Sequence, residues 1–251
     1  MNEVQRHNSI LSLLDEKNSI KVSTITETFK VSPATARRDL TKLDEMGKLK
    51  KVRNGAEKIE SSRNVWSPLN AENTENYREK SAIAERAADL CDKGDSVVIN
   101  CGSTAFMLGQ ELCGEDIKII TNYFPLASYL IEQDHEFVII TGGQYNKSKN
   151  IFLNPTPEFS RTYAGHWMFT SGKGLTEQGL YKTDMLTAVV EQQMLEQVGK
   201  LVVAVDSSKV GQRSGMMFCP ATKIDIVITG EDADANVVRG LREQGIDVIL
   251  V

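Results

Sequence analysis

An α/β protein in two parts is what this sequence predicts: a small winged helix-turn-helix followed by a larger Rossmann-like domain built on a parallel sheet. Three observations carry that prediction. Residues 32–43 read as a capped, one-sided helix preceded by a second short helix. The stretch after them, Lys48-Leu49-Lys50-Lys51-Val52-Arg53-Asn54-Gly55-Ala56, sets Leu49 and Val52 among cations in the manner of a short hairpin. From residue 79 onward, short β-branched runs without polar alternation are separated by helical segments. Such runs mark parallel strands covered on both faces.

Residues 3–17 form the first helix, with Ile10, Leu11 and Leu14 as its buried stripe. Ile20 and Val22 suit a short strand beside the wing. Ser23-Thr24-Ile25-Thr26-Glu27-Thr28-Phe29 makes a second helix with Ser23 as its cap. A turn at Lys30-Val31 leads to the third helix, and two helices joined so closely form the helix-turn-helix hairpin. Ser32 can accept a bond from an orphan N–H of the first turn, and Pro33 suits the first helical position. Ala36, Leu40 and Leu43 fall at i, i+4 and i+7 and face inward. Ala34, Thr35, Arg38, Thr41 and Lys42 point the other way, with Arg37 on the flank. A recognition helix needs such a short, cationic N-terminal face, because Arg can donate two bonds to guanine O6 and N7. Gly47 stops the helix. Lys50, Lys51 and Arg53 of the wing would lie along phosphates. The candidate DNA contacts are therefore Ser32, Ala34, Thr35, Arg37, Arg38, Thr41, Lys42, Lys50, Lys51 and Arg53.

The chain has 251 residues and a net charge of −5, which alone would not suggest a nucleic-acid binder. Residues 1–60, however, carry 12 Lys/Arg against 9 Asp/Glu, whereas the remainder carries 17 against 25. A basic head on an acidic body fits a DNA reader joined to something else. Cys91, Cys101, Cys113 and Cys219 form no Cys-x-x-Cys pair, and His7, His135 and His166 are scattered. No metal, cofactor or disulfide framework is expected. Charges within the first twenty residues argue against a signal peptide, and no apolar run approaches the ~20 residues that span a bilayer. A soluble, cytoplasmic protein is expected.

The DNA-binding domain is expected to close at residue 57. Residues 58–78 are polar and turn-prone and read as a linker, with Trp66 docking locally. The second domain then occupies 79–251. Its expected helices are 79–91 (ended by Gly94), 104–112, 125–133, 184–198 and 235–244. Its expected strands are 96–100, 117–121, 137–141, one around Met168-Phe169, 201–205, 224–229 and 248–251.

Ligands of open parallel sheets sit beyond the carboxyl ends of the strands. Four such ends carry suitable chemistry: Asn100-Cys101-Gly102-Ser103-Thr104-Ala105, Thr121-Asn122, Thr141-Gly142-Gly143-Gln144-Tyr145-Asn146-Lys147, and Asp206-Ser207-Ser208-Lys209. Gly102 allows close backbone approach, Ser103 and Thr104 offer hydroxyls, and the helix N-terminus favours an anion. Together the four ends make a polar cup with a phosphate seat and a cation, suited to a phosphorylated polyol or sugar. A dinucleotide is excluded, since no Gly-x-Gly-x-x-Gly followed by an acid appears.

The Ser-Pro-Ala-Thr-Ala-Arg-Arg-Asp-Leu run, the Leu-Asp-Glu-Met-Gly-Lys-Leu run and Gly55-Ala56 resemble the winged helix-turn-helix of the DeoR family of bacterial sugar-catabolism repressors. That family usually carries Arg-Val-His-Gly-Gly-Ala in the wing, where this chain has Lys51-Val52-Arg53-Asn54-Gly55-Ala56. The second half resembles the family's sensor domain, and the likeness covers nearly the whole chain. It implies a fold related to ribose-5-phosphate isomerase and glucosamine-6-phosphate deaminase. By motif, Gly102, Ser103 and Thr104 would hold a phosphate, and Thr121, Asn122, Gly142, Gly143, Asp206 and Lys209 would line the cup. Three segments are similar to the L-ascorbate utilisation repressors within the family: 98–106 (with Cys101), 141–148, and His166-Trp167-Met168-Phe169-Thr170-Ser171-Gly172-Lys173-Gly174. They add Cys101 and Lys173 to the candidate effector site and imply L-ascorbate 6-phosphate as effector.

The expected function is thus a repressor that holds operator DNA, senses a phosphorylated sugar acid, and works as a homo-oligomer, because operators are commonly two-fold symmetric. The alternative is an isomerase-like enzyme with a DNA-binding appendage, in which Asp206, Asp184 and Lys209 supply acid and base. Nothing outside the cup reads as a lid, and His166 stands where the general family often has a carboxylate, so no catalytic residue is assigned. A chromosome-architecture protein would leave the cup unexplained.

Overall fold

The computed structural model describes residues 3–17, 19–45, 48–57, 74–154 and 162–251. The helix stop at Gly47 and the docking of Trp66 lie outside these residues, as does most of the expected linker. The chain divides into two compact units, residues 1–63 and 64–251.

The first unit runs α1 (Glu3–Lys17), β1 (Ser19–Lys21), α2 (Val22–Phe29), α3 (Pro33–Glu45), β2 (Lys50–Val52) and β3 (Gly55–Glu57). Strand β3 lies between β1 and β2 and is antiparallel to both, so the wing is tied back to the segment after α1. Val22 opens α2 rather than ending the strand. Lys21 holds the cap position in extended geometry without a side-chain bond, so Ser23 lies inside the helix and does not cap it. Lys30, with φ 51°, closes α2 in a left-handed conformation. The predicted cap of α3 is present: Ser32 Oγ accepts the Thr35 N–H at 3.1 Å. Ile10, Leu14, Ile25, Ala36, Leu40, Leu43 and Leu49 form a small buried core from all three helices and the wing.

The second unit begins with α4 (Tyr77–Ala88), two residues earlier than expected, and then alternates β4 (Ser96–Ile99), α5 (Ser103–Glu111), β5 (Lys118–Thr121), α6 (Phe124–Glu132) and β6 (Val138–Ile140). A hairpin of β7 (Gln144–Asn146) and β8 (Ile151–Leu153) follows. Next come β9 (Gly165–Thr170), β10 (Gly174–Thr176), β11 (Gly179–Lys182), α7 (Met185–Gln192), β12 (Val198–Ala204), β13 (Met216–Pro220), β14 (Ile226–Thr229), α8 (Ala235–Glu243) and β15 (Asp247–Leu250). Seven strands form a sheet in the order β15-β14-β12-β9-β4-β5-β6, with every pairing parallel. The chain builds outward from β4 to β6 and then returns to the other side of β4 with β9. The strand order therefore reverses between β4 and β9, the place where ligands of such sheets bind.

Strand side chains alternate between two cores. Val97, Ile99, Val202 and Ala204 pack under α4, α5 and α6 with Phe106, Leu126 and Phe169. Val98, Leu201 and Val203 pack on the opposite face with Ala188 of α7, Val238 and Leu241 of α8, and Leu180 and Phe218. Leu180 and Phe218 belong to a small antiparallel sheet, β10-β11-β13, absent from the sequence reading. Three- to five-residue strands bounded by glycines carry too little periodicity to announce themselves. The helix expected over 184–198 is shorter: α7 stops at Gln192, Leu195–Gln197 make a 3-10 turn, and β12 already starts at Val198.

Candidate functional site

In the first unit, Ala34, Arg37 and Arg38 are exposed at the start of α3, and neither arginine has an ion pair among the described residues. Ser32, Thr35 and Thr41 are less available than the sequence implied. Ser32 and Thr35 hydroxyls lie 2.9 Å apart within the cap. Thr41 Oγ1 donates to the Arg37 carbonyl at 2.9 Å and accepts from Lys51 Nζ at 2.6 Å. Lys51 N–H also donates to Asp44 at 2.9 Å, so Lys51 fastens the wing to α3. Lys50 and Arg53 are exposed on the wing, whereas Lys42 is half-buried.

Sequence reasoning missed Asp39. It lies on α3 between Arg38 and Leu40 and is 2% exposed. Arg6 of α1 grips both its oxygens, Nε at 2.6 Å and Nη2 at 3.0 Å, and His7 Nε2 lies 3.1 Å away. Burial pushes the Asp39 pKa up, but the bonds and charges of Arg6 and His7 outweigh this and hold it below the ordinary value. This cluster sets the position of α3 on α1. The sequence signal was a charge one residue from the apolar stripe.

In the second unit, a cavity of about 260 Å³ lies over the carboxyl ends of β4, β9 and β12. The β4–α5 turn supplies Cys101, Gly102, Ser103 and Thr104. Gly102 has φ 136°, a conformation L residues avoid, and having no side chain it leaves the first turn of α5 uncapped by its own residue. Lys173 follows β9, and Asp206 and Lys209 occupy the turn after β12. These seven candidates are brought together. Four further walls complete it: Lys80 from α4, Lys149 from the β7–β8 hairpin and Lys182 ending β11, none of them foreseen, and Asp184, named from the sequence only as an acid or base of the enzyme alternative, with Thr187 opening α7.

The cavity lining carries a net positive charge: Lys80, Lys149, Lys173 and Lys209 stand with Asp184 and Asp206, and Lys182 is paired with Glu191. Asp184 caps α7, accepting the Thr187 hydroxyl at 2.6 Å and its N–H at 2.8 Å. Those bonds, with Lys149 3.7 Å away, hold its pKa below the ordinary range. Asp206 is 2% exposed. Burial alone would raise its pKa, but bonds from Ser208 and Asn76 and the charges of Lys80 and Lys209 hold it low. Lys182 is buried over the Phe218 ring and donates to Glu191 and to Thr170 Oγ1. Glu191 also receives the Cys101 thiol at 3.5 Å. Burial first, then the Glu191 charge, drive the Cys101 pKa far up, so Cys101 is a neutral S–H donor and not a nucleophile.

The cup expected as one is divided. Thr121 and Asn122 line a separate small cavity with Asn100, Thr141 and Glu191, and the buried Asn122 Oδ1 has no partner there among the described residues. Thr121 ends β5 and Asn122 follows it, on the far side of β4 from β9. Gly142 and Gly143 line neither cavity. Gly143, with φ 105°, turns the chain into the β7–β8 hairpin, where a Cβ would lie 2.4 Å from the Leu153 carbonyl oxygen. His166 stands at the amino edge of the sheet, opposite the cavity, accepting the Ser96 N–H at 3.0 Å.

Comparison with known proteins agrees with both units. Residues 6–62 match the family described as DeoR-like helix-turn-helix domain, and residues 75–231 match the DeoR C terminal sensor domain. The chain is 57% identical over 251 residues to the HTH-type transcriptional regulator UlaR of Escherichia coli (strain K12 / DH10B), covering 100% of both chains. It has the same identity and coverage with the protein of that name from Shigella boydii serotype 18. Among solved structures, eIF2B delta from Chaetomium thermophilum is 16% identical with a TM-score of 0.45, over 62% of this chain and 56% of that one. Ribose 5-phosphate isomerase A from Methanocaldococcus jannaschii is 19% identical with a TM-score of 0.39, over 54% and 55%.

Proposed function

Because the chain belongs to the DeoR family of transcriptional regulators, we propose that it represses genes of L-ascorbate utilisation and leaves its operator when L-ascorbate 6-phosphate binds the second unit. It is a regulator and not an enzyme, as its full-length relatives are named. The observation that carries the effector class is the cavity itself: an uncapped helix start with two hydroxyls, faced by four lysines and two carboxylates, with the fifth lysine, Lys182, paired to Glu191. A phosphate monoester at that helix start takes the free N–H groups and the Ser103 and Thr104 hydroxyls in charge-assisted bonds. The ionised enediol of an ascorbate ring adds a second negative centre, which suits lysines spread over several walls. Lys173 and Lys209 supply cations, and Asp206 orients Lys80 beside them. Thr121, Asn122, Gly142 and Gly143 are left out of this assignment.

On the DNA side, Arg37 and Arg38 read bases while Lys50 and Arg53 follow phosphates. A two-fold operator calls for a homo-oligomer. No described helix is long and apolar enough to cross a membrane, which accords with work on DNA in the cytoplasm. The test is operator binding by fluorescence anisotropy in the presence of L-ascorbate 6-phosphate, free L-ascorbate or inorganic phosphate. The phosphate ester should release DNA, and free ascorbate should not. Release by neither compound rejects the effector; equal release by both rejects the phosphate seat.

A further inference from the structure

The residues that line the cavity at Asp206 and Lys80 also hold the beginning of α4. Asn76, just before the helix, donates from Nδ2 to Asp206 Oδ1 at 2.9 Å and lies 3.5 Å from Ser208 Oγ. Glu79 accepts the Ser207 N–H at 2.6 Å and its hydroxyl at 3.2 Å. The absence of a side chain at Gly230 leaves room for that carboxylate: a Cβ there would fall 2.0 Å from Glu79 Oε1. Lys80 Nζ donates to the Glu75 carbonyl at 2.6 Å and sits 3.6 Å from Asp206 Oδ2. Asn76 adopts φ 57°, a left-handed conformation kept in place by these bonds. In sequence, α4 is the first described helix after residues 58–73, the segment that joins it to the wing.

We propose that this junction carries effector occupancy toward the DNA-binding unit. Resting on the anion-binding reading of the cavity, the device is a competition for Lys80. An anion entering the cavity draws Lys80 to itself. Asp206, buried and charged, then loses the paired cation that offsets its burial. Its bonds to Asn76 and Ser208 rearrange, and the start of α4 is released from the 206–209 turn. The fastened junction is the operator-binding form with low effector affinity, and the released junction is the reverse. A ligand shifts such an equilibrium only through its different affinity for the two forms.

Linkage makes this testable in the intact protein. Asn76→Gly removes the carboxamide while glycine still accepts the left-handed backbone. It should lower operator affinity about tenfold with no ligand added, and raise affinity for L-ascorbate 6-phosphate, by calorimetry, by a similar factor, since coupling is reciprocal. Glu79→Gln, a milder change, should shift both affinities the same way by a smaller factor. Residues that served only the stability of the fold would weaken both binding reactions together. Operator affinity within twofold of wild type in both variants, or effector affinity falling alongside it, would overturn the proposal. Should wild type bind no L-ascorbate 6-phosphate, the effector assignment fails by itself. The ligand-free change in operator affinity still decides the junction.

Discussion

Arg37 and Arg38 stand exposed one turn into α3, without ion pairs among the described residues. Each substituted by Ala should weaken operator binding by about 1–3 kcal/mol, the worth of a bidentate base contact. Lys50→Ala should instead weaken operator and random DNA alike and flatten the salt dependence. Anisotropy titrations at several salt concentrations separate the two. Lys51 is a poorer probe, because its Nζ bond to Thr41 would be lost as well. Asp39 makes a different prediction. Its folded pKa is depressed, so its contribution to stability is complete above the ordinary Asp value of 3.8 and is lost as pH falls below it. Melting curves of wild type should therefore lose stability on acidification through that window. Asp39→Asn, which starts lower because it gives up the Arg6 bonds to a charged partner, should lose less. An equal acid loss in both would mean that other carboxylates dominate.

In the proposed reading, helix α5 is the element that would seat the phosphate, because its N-terminus opens at the strand-order reversal. Ser103→Ala with Thr104→Ala should weaken L-ascorbate 6-phosphate binding while leaving any binding of free L-ascorbate nearly unchanged. Calorimetry with both ligands checks this, and equal losses would move the phosphate elsewhere in the cavity. Helix α7 contributes through its two ends. Asp184 caps it at the cavity wall, and Glu191 near its last turn neutralises Lys182 and takes the Cys101 thiol. Breaking a buried pair leaves an uncompensated charge, so Lys182→Met should destabilise the second unit by roughly 3–5 kcal/mol. Adding Glu191→Gln should recover part of that loss in denaturant melts. No recovery would show that Lys182 acts through its packing on Phe218 rather than through its charge.

A repressor must keep its DNA-binding and sensing functions separable, and Lys209 offers the cleanest separation. Its side chain lines the cavity and, among the described residues, donates only to the neighbouring Ser208 hydroxyl, at 3.1 Å. Lys209→Ala should bind operator like wild type and melt normally, yet need much more effector for release. Release at the wild-type concentration would remove Lys209 from the site. Asp206 is less suitable than its place in the sequence suggested. It anchors Asn76, Ser208 and Lys80 together, so its loss would disturb the fold as well as the site.

Local physics made much of this protein legible from its residues. Ser32-Pro33 marks the start of α3 because a cap and a proline act within one turn. The β4–α5 turn is readable as a strand-to-helix turn because glycine and two hydroxyl residues stand between a β-branched run and an apolar helix. What the tertiary structure alone decided is which of these pieces meet. Gly102, Lys173 and Asp206 share a cavity because β4, β9 and β12 are adjacent, whereas Asn122 is parted from them by lying beyond β4. Lys80, Lys149 and Lys182 read as ordinary surface lysines, since nothing beside them in sequence marks a site. The role of Asp39 could not be assigned for the same reason, its partners being 32 and 33 residues away. Strand order and buried ion pairs are settled by burying both faces of one sheet and by matching each buried charge, conditions on residues distant in sequence that no local pattern records.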